Sequence, residues 1–306
     1  MSTSIEWCKN PDGSMGSTWN PVTGCRPDYP CWDHCYARRM ANRLAGRYGY
    51  DKDDPFKVTF HPDKLDELLR WKKPRTIFVC SMGDLFAHGV KRQWQNAVFN
   101  IMLAETPHTF ILLTKRVKEV GEYLSQLYMP DFGESLVIGT SVSTQAEWDE
   151  RVPLLCQIPA QRRVVSVEPM LGPIHIWPWT NLDGTQSLKE IHGILCGGES
   201  GPGARPMHPD WVRSLRDQCK EAGVAFHFKS WGEWAPFDDW RDKLTERQLY
   251  ENNPVVRWVR LDGQDTLCGP NEGLPMIRVG KKRSGRLLDG REHNELYWTK
   301  ETSDEV

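Results

Sequence analysis

The chain has 306 residues and a formal net charge of −2, and 39% of its residues are hydrophobic. This length suits a single α/β barrel, and the nearly balanced charge excludes a basic excess over the whole surface of the kind that binds nucleic acid. Residues 1–14 contain no apolar segment typical of a secretory signal, and no stretch approaches the roughly 18 apolar residues of a membrane span, so we expect a cytoplasmic protein that contacts no membrane.

The predicted elements alternate along the chain. A short strand near 17–20 and a helix at 62–71 come first, and continuous apolar runs then alternate with amphipathic stretches. The apolar runs begin the segments 76–86, 110–116, 136–143, 163–170, 191–200 and 224–233, and helices are predicted at 91–105, 117–128, 144–156 and 209–222. Because this alternation is typical of βα units, the predicted fold class is α/β, a complete or partial (β/α) barrel of parallel strands. A doubly wound sheet is the alternative.

The alternation ends near Ala235. Residues 238–254 are polar, and the segments 255–264 and 275–290 show short alternating runs with Asp-Gly and Ser-Gly turn signals. We therefore predict two domains. The barrel covers 1–235, with a cysteine loop at 25–35, and a C-terminal helix and β-hairpin appendage covers 236–306.

Polar residues follow most of the apolar runs. In a parallel barrel these strand ends converge on the face where active sites lie, although any one of the residues could simply cap the next helix. The residues are Ser81, Asp84, Thr114, Lys115, Ser141, Ser143, Glu168, Glu199 and Lys229.

Three cysteines crowd one loop, with the spacing Cys25-x5-Cys31-x3-Cys35. Thiols stay reduced in the cytoplasm, so such a group indicates metal binding or catalysis rather than disulfides. Thiolates hold both iron–sulfur clusters and zinc. Structural zinc needs four ligands, and His34 or Cys8 could be the fourth, but the familiar paired C-x-x-C spacings are missing. Three cysteines without a fourth leave one iron of a cluster open to an exogenous ligand.

Several longer motifs carry a family resemblance. Together they are similar to a family of phage- and prophage-encoded proteins with a three-cysteine motif, which in turn resembles variant radical S-adenosylmethionine (SAM) enzymes. The usual spacing in those enzymes is C-x3-C-x2-C, so both gaps are longer here. The motifs are "TWNPVTGC", "CWDHCYARRM", "SMGDLF", "SVEPMLGPI", "GGESGPGARPMHPDWVRSLRDQC", "FKSWGEW" and "GRLLDG".

The resemblance implies a cofactor set. Cys25, Cys31 and Cys35 would bind three irons of a 4Fe-4S cluster, and SAM would bind the fourth and be cleaved to a 5′-deoxyadenosyl radical. An electron donor such as a flavodoxin or ferredoxin would reduce the cluster, and a partner enzyme could be encoded nearby. The residues expected to bind SAM are Ser81, Gly83 and Asp84 at its amino group, Ser141 and Ser143 at its ribose or carboxylate, and Gly197 and Gly198 of a Gly-Gly-Glu motif.

Three charged strand-end residues are candidates for catalysis. Glu168 and Glu199 could orient substrate or move protons, and Lys229 could contact a ligand or pair with one of these glutamates. The substrate stays open between nucleic acid, a modified nucleobase and a protein. A basic run between 278 and 291 and the phage setting favour nucleic acid. The rival hypothesis is a zinc-stabilised nucleic-acid-binding protein without catalysis.

Overall fold

The computed structural model describes residues 3–26, 34–104, 106–127, 133–176, 190–240, 256–263 and 273–298. The strands are β1 Ser17–Trp19, β2 Val22–Thr23, β3 Thr59–Phe60, β4 Thr76–Val79, β5 Thr109–Thr114, β6 Leu136–Val142, β7 Arg162–Val167, β8 Gly193–Gly197, β9 Ala225–Ser230, β10 Trp234–Pro236, β11 Val256–Val259 and β12 Leu274–Arg278. The α-helices are α1 Tyr36–Arg43, α2 Leu65–Leu69, α3 Arg92–Leu103, α4 Val117–Ser125, α5 Gln145–Gln157, α6 Pro209–Ala222 and α7 Lys281–Ser284. None of these helices is long and apolar enough to cross a bilayer.

Seven strands form one sheet, in the order β1-β4-β5-β6-β7-β8-β9. The pairs β1–β4, β4–β5, β5–β6 and β8–β9 are parallel. The predicted α/β class with parallel strands is confirmed. Within the described residues β1 and β9 are the two edges, so the sheet corresponds to the partial form of the predicted barrel and not to the complete one.

The apolar runs of the sequence became strands because they are buried on both faces. All four residues of β4 and all five of β8 are buried, as expected for a parallel sheet covered by helices. Helices α3 to α6 lie within two or three residues of the predicted bounds. Two short elements were not predicted, β2 and β3, which pair antiparallel through Val22 with Phe60 and Thr23 with Thr59.

The chain divides into two compact units. The first comprises Met1–Ser141, Arg151–Val164 and Leu296–Val306, and the second comprises Val142–Glu150 and Val165–Glu295. In the first unit the core includes Trp19 and Phe110, whose rings lie 6.4 Å apart. The predicted domain boundary itself stays a prediction.

The second unit contains the predicted β-rich appendage as a small antiparallel sheet, in the order β10-β12-β11. Its first strand, Trp234–Pro236, begins before the predicted boundary. Within the predicted basic run, Lys281, Lys282 and Arg283 lie in the short helix α7. This segment packs against the turn that follows β9, since Ser284 Oγ donates to the carbonyl oxygen of Gly232 at 2.6 Å.

Candidate functional site

The residue before Cys25 is Gly24, and its surroundings leave no room for a side chain. Gly24 has φ +86°, and a Cβ atom there would lie 2.6 Å from the carbonyl oxygen of Phe56. The backbone N–H of Cys25 donates to that same carbonyl at 3.3 Å. Glycine therefore allows the segment before Cys25 to run directly against another backbone.

Cys35 begins helix α1 and shares its surroundings with Cys25. Both side chains are half-buried and free of disulfides, and both pack against one apolar cluster of Ala37, Ala41 and Phe56. Met82, from the predicted SAM-binding segment, packs against the same cluster. Cys31 lies outside the described residues.

The loop Ser81–Asp84 is hydrogen-bonded to the residues next to these two cysteines. The N–H of Gly24 donates to the carbonyl of Met82 at 2.9 Å, and the phenol of Tyr36 donates to the carbonyl of Ser81. Gly24 immediately precedes Cys25, and Tyr36 immediately follows Cys35. The structure thus brings the two described ends of the predicted cysteine loop to the predicted SAM loop.

Asn20, directly after β1, fixes the start of the same loop. Its Oδ1 atom accepts from the hydroxyl of Ser81 at 3.2 Å and from the N–H of Met82 at 2.9 Å. Sequence reasoning did not select Asn20, although it stands at a strand end inside a quoted motif. The strand-end signal applied to the first strand could have found it.

The carboxylate of Asp84 is buried and accepts several hydrogen bonds from the end of β5. Its Oδ1 atom accepts from the hydroxyl of Thr114 at 2.8 Å, and its Oδ2 atom accepts from the N–H of Lys115 at 3.2 Å. Oδ2 also lies 3.3 Å from Nη1 of Arg116. Asp84 therefore joins the loop to β5, and its predicted contact with SAM stays a prediction.

Arg116 is a second functional candidate that sequence reasoning missed. Its side chain is only 5% exposed, and its Nη1 atom donates to the sulfur of Cys25 at 3.7 Å. Burial raises the pKa of the Cys25 thiol and the Asp84 carboxylate raises it further, while Arg116 opposes both. The signal was available, because Arg116 follows Thr114 and Lys115 at the end of a buried strand.

Three further cysteines that are buried in the core are Cys8, Cys80 and Cys196. The Cys8 thiol is buried and donates to the carbonyls of Ser17 and Thr76, each at 3.6 Å, and burial raises its pKa to about 12. Burial likewise raises the pKa of Cys80 to about 12 and that of Cys196 well above its ordinary value. The Cys8 thiol thus already has two hydrogen-bond partners in the core.

His34 stands beside Cys35 at the start of the described part of this segment. Its Nδ1 atom is buried and has no hydrogen-bond partner among the residues that the structure describes. No three Cys, His, Asp or Glu side chains come together as a metal site in those residues. Since Cys31 is not one of them, the predicted three-cysteine set stays a prediction.

In the second unit, Glu168 and Lys229 form an ion pair. Lys229 Nζ lies 2.8 Å from Glu168 Oε1, and the side chains are 26% and 15% exposed. A Cβ atom on Gly197 would lie 2.9 Å from that carboxylate oxygen, so a glycine at the end of β8 leaves room for Glu168. The three predicted residues Glu168, Gly197 and Lys229 are therefore neighbours.

Glu199 and Gly198 have structural partners. Both oxygens of Glu199 accept from the guanidinium of Arg205, at 2.8 and 2.9 Å, and Glu199 is 5% exposed. A Cβ atom on Gly198 would lie 2.6 Å from the carbonyl carbon of Trp231. The Gly-Gly-Glu segment is thus held by close backbone packing and a bidentate ion pair, and Lys229 pairs with Glu168.

The two predicted serines lie near helix α5. In the first unit, the carbonyl of Ser141 accepts from Arg151 Nη1 at 2.7 Å. In the second unit, the N–H of Ser143 donates to the carboxylate of Glu147 at 2.6 Å. Thr144 accepts from the N–H of Glu147 at 3.3 Å, so this segment contains a helix cap. The predicted contacts of both serines with SAM stay predictions.

Comparisons with solved structures returned spore photoproduct lyase. A double variant with bound AdoMet and dinucleoside spore photoproduct is 10% identical, with a TM-score of 0.42, over 91% of this chain and 72% of that chain. Another structure, complexed with dinucleoside spore photoproduct, is 9% identical, with a TM-score of 0.40, over 90% of this chain and 71% of that chain. The sequence identity and the TM-score are both low, so these similarities assign neither a substrate nor a residue role to this chain.

No curated protein matches the chain. One family matches it over nearly its whole length, residues 2–297. The chain belongs to that family, which is described as a protein of unknown function, DUF5131.

Proposed function

We propose that this protein is an iron–sulfur enzyme of the radical SAM type, with Cys25, Cys31 and Cys35 as the protein ligands of a 4Fe-4S cluster. One observation carries the proposal. The immediate neighbours of two of these cysteines, Gly24 and Tyr36, both hold the loop Ser81–Asp84 by hydrogen bonds. A cofactor that bridges a cluster and this loop would need such an arrangement.

The described residues fit a cluster chemically. Cys25 and Cys35 are both free thiols, and both pack against the same group of apolar side chains. Apolar surroundings of this kind limit the access of solvent to an iron–sulfur site. Arg116 supplies a positive charge next to the Cys25 sulfur, which favours the thiolate that binds iron. Three thiolates would leave one iron with an open position for SAM.

The chain's own residues have distinct roles in this proposal. Ser81 and Gly83 would bind the amino end of SAM, while Asp84 and Asn20 keep the loop in position. The reduced cluster would supply the electron that cleaves SAM. Glu168 and Lys229 would hold or move a proton on the substrate, with the charge of each balanced by the other.

The substrate class that we propose is nucleic acid, reached through exposed basic residues. Lys281 and Lys282 are exposed on α7, and lysines of this kind contact phosphates. A flavodoxin or ferredoxin would act as the electron donor, and an enzyme encoded nearby could act on the product. A nucleobase or a protein is the alternative substrate.

One observation favours the second candidate, a zinc-stabilised nucleic-acid-binding protein. The buried Nδ1 atom of His34 has no hydrogen-bond partner in the described part of the chain, and an imidazole nitrogen is a common zinc ligand. With Cys25, Cys31 and Cys35 it would complete a Cys₃His set.

Metal analysis separates the two candidates. The full-length protein is purified without oxygen and assayed for iron, sulfide and zinc, then reduced with dithionite and mixed with SAM. We expect a brown protein with about four irons and four sulfides per chain. Its electron paramagnetic resonance spectrum should change when SAM is added. A colourless protein with one zinc per chain would support the second candidate instead.

A further inference from the structure

Arg116 is a buried cation held from two sides. Its Nη1 atom lies 3.3 Å from Oδ2 of Asp84 and 3.7 Å from the sulfur of Cys25. Its backbone N–H donates to the hydroxyl of Thr114 at 3.0 Å, and that hydroxyl donates to Asp84 at 2.8 Å. One guanidinium group therefore connects the Ser81–Asp84 loop to the Cys25 thiol in a fixed position.

We propose that Arg116 raises the reduction potential of the cluster bound through Cys25, an inference that rests on the proposed function. Reduction adds one negative charge to a cluster. A nearby positive charge stabilises that added charge, and it does so more strongly where water is excluded. Hydrogen bonds to cluster sulfurs are a further means by which proteins set the potential, and Arg116 provides both effects at one sulfur.

Arginine suits this task better than the other basic residues. Its guanidinium keeps its charge at any pH at which proteins are folded, so its effect on the cluster does not vary with pH. Its several N–H groups also allow it to bond to a carboxylate and a sulfur together. Asp84 therefore acts as a positioning residue for Arg116, because it holds the guanidinium beside Cys25.

The test compares reduction potentials of the reconstituted full-length protein. Arg116→Gln should lower the ratio of reduced to oxidised cluster about tenfold at a fixed potential, which corresponds to about 59 mV for one electron. The matched control is Arg163→Gln, because Arg163 is 7% exposed in the same unit and donates to the carbonyls of Leu155 and Ile158. This control should leave the potential unchanged.

A second variant covers the case in which Arg116→Gln does not fold, because it leaves Asp84 as an unpaired buried charge. The double variant Arg116→Gln with Asp84→Asn contains no such charge and loses the hydrogen bond to the sulfur, but it removes an anion together with the cation, so its potential should fall by less than that of the single variant. Iron and sulfide are measured on every sample. If variants that carry a full cluster keep the wild-type reduction potential, the inference about Arg116 is wrong, while the proposed function stands. Wild-type protein that binds no cluster would overturn the proposed function and the inference with it.

Discussion

The backbones of Gly24 and Gly83 form a parallel β-bridge, and a Cβ atom on Gly83 would lie 2.7 Å from the carbonyl oxygen of Gly24. Such a distance is too short for a real side chain. The two segments that the sequence assigned to a cluster and to SAM therefore touch through their glycines, with no side chain between them.

Gly83→Ala should separate these segments. The added methyl group would force the backbones apart, and we expect a loss of about 1–3 kcal/mol in the free energy of unfolding, together with reduced iron loading. Gly121→Ala is the matched control, since Gly121 lies in α4 with open space around it. The free energy of unfolding of this control should rise by up to about 1 kcal/mol, because alanine has a higher helix propensity than glycine. Urea unfolding measures both, and equal effects of the two changes would contradict the packing argument.

The three loop cysteines should differ from the core cysteines in iron binding. Cys25→Ala, Cys31→Ala and Cys35→Ala should each lower the iron and sulfide retained after anaerobic reconstitution, because removal of one thiolate opens a second iron. Cys80→Ala and Cys196→Ala should retain the wild-type content, since both thiols are buried and hard to ionise. Full loading in all three loop variants would exclude the cluster assignment.

Tyr36→Phe should weaken SAM binding without emptying the cluster. The change removes the hydroxyl that donates to the Ser81 carbonyl, a bond worth about 0.5–1.5 kcal/mol, so affinity should fall by about two- to tenfold. Calorimetric titration of SAM into loaded protein measures this, and 5′-deoxyadenosine release should fall in parallel at low SAM. Tyr123→Phe is the control, because its hydroxyl donates to Asn96 at 3.0 Å. A loaded wild type that neither binds SAM nor forms 5′-deoxyadenosine would count against the enzyme proposal.

Two lysines of α7 should contribute to the salt dependence of nucleic-acid binding. Arg283 and Arg286 are engaged within the protein, with Val279 and with Asn294, so the test uses Lys281→Gln with Lys282→Gln. The slope of log affinity against log salt should flatten by about 0.7–0.9 per lost phosphate contact. Two other exposed lysines provide the control pair, Lys72→Gln with Lys73→Gln. If the wild type binds neither DNA nor RNA at low salt, a protein or small molecule becomes the better substrate.

Asp289 should stabilise the protein only while it is ionised. Its carboxylate lies 2.8 Å from Arg213 Nε and 2.6 Å from Arg216 Nη1. Burial alone would raise the pKa of Asp289, but the hydrogen bonds from Arg216 and Arg213 outweigh it and hold the pKa below its ordinary value of 3.8. A lowered pKa means that the stabilisation is complete above about pH 4 and is lost as the pH falls through the lowered value.

Asp289→Asn removes the charge and one acceptor oxygen without backbone strain, since asparagine tolerates the positive φ of 53° at this position. After allowance for solvent screening, the free energy of unfolding at pH 7 should fall by up to about 1 kcal/mol. The difference from wild type should disappear in strong acid. Chemical unfolding at several pH values between 7 and 2 tests this, and a difference that does not shrink as the pH falls would contradict the assignment to charge.

The class of fold and most of its strands followed from the sequence by itself, because a strand buried on both faces must be continuously apolar. The run that became β4 and the amphipathic pattern that became α6 show this directly. The three-cysteine spacing indicated a metal site, either a cluster or zinc, and this stays a prediction. The short ladder of β2 and β3 escaped prediction, because two-residue strands leave no periodic pattern to detect.

Only the tertiary structure decided which strand-end residues meet. Arg116 lies 91 positions from Cys25 in the sequence, yet its guanidinium reaches that sulfur. Lys229 could have paired with either candidate glutamate, and the structure shows it paired with Glu168, while Glu199 pairs with Arg205. Apolar periodicity reports which residues are buried, whereas the partners of charged side chains depend on strand order and register, which local patterns in the sequence do not encode.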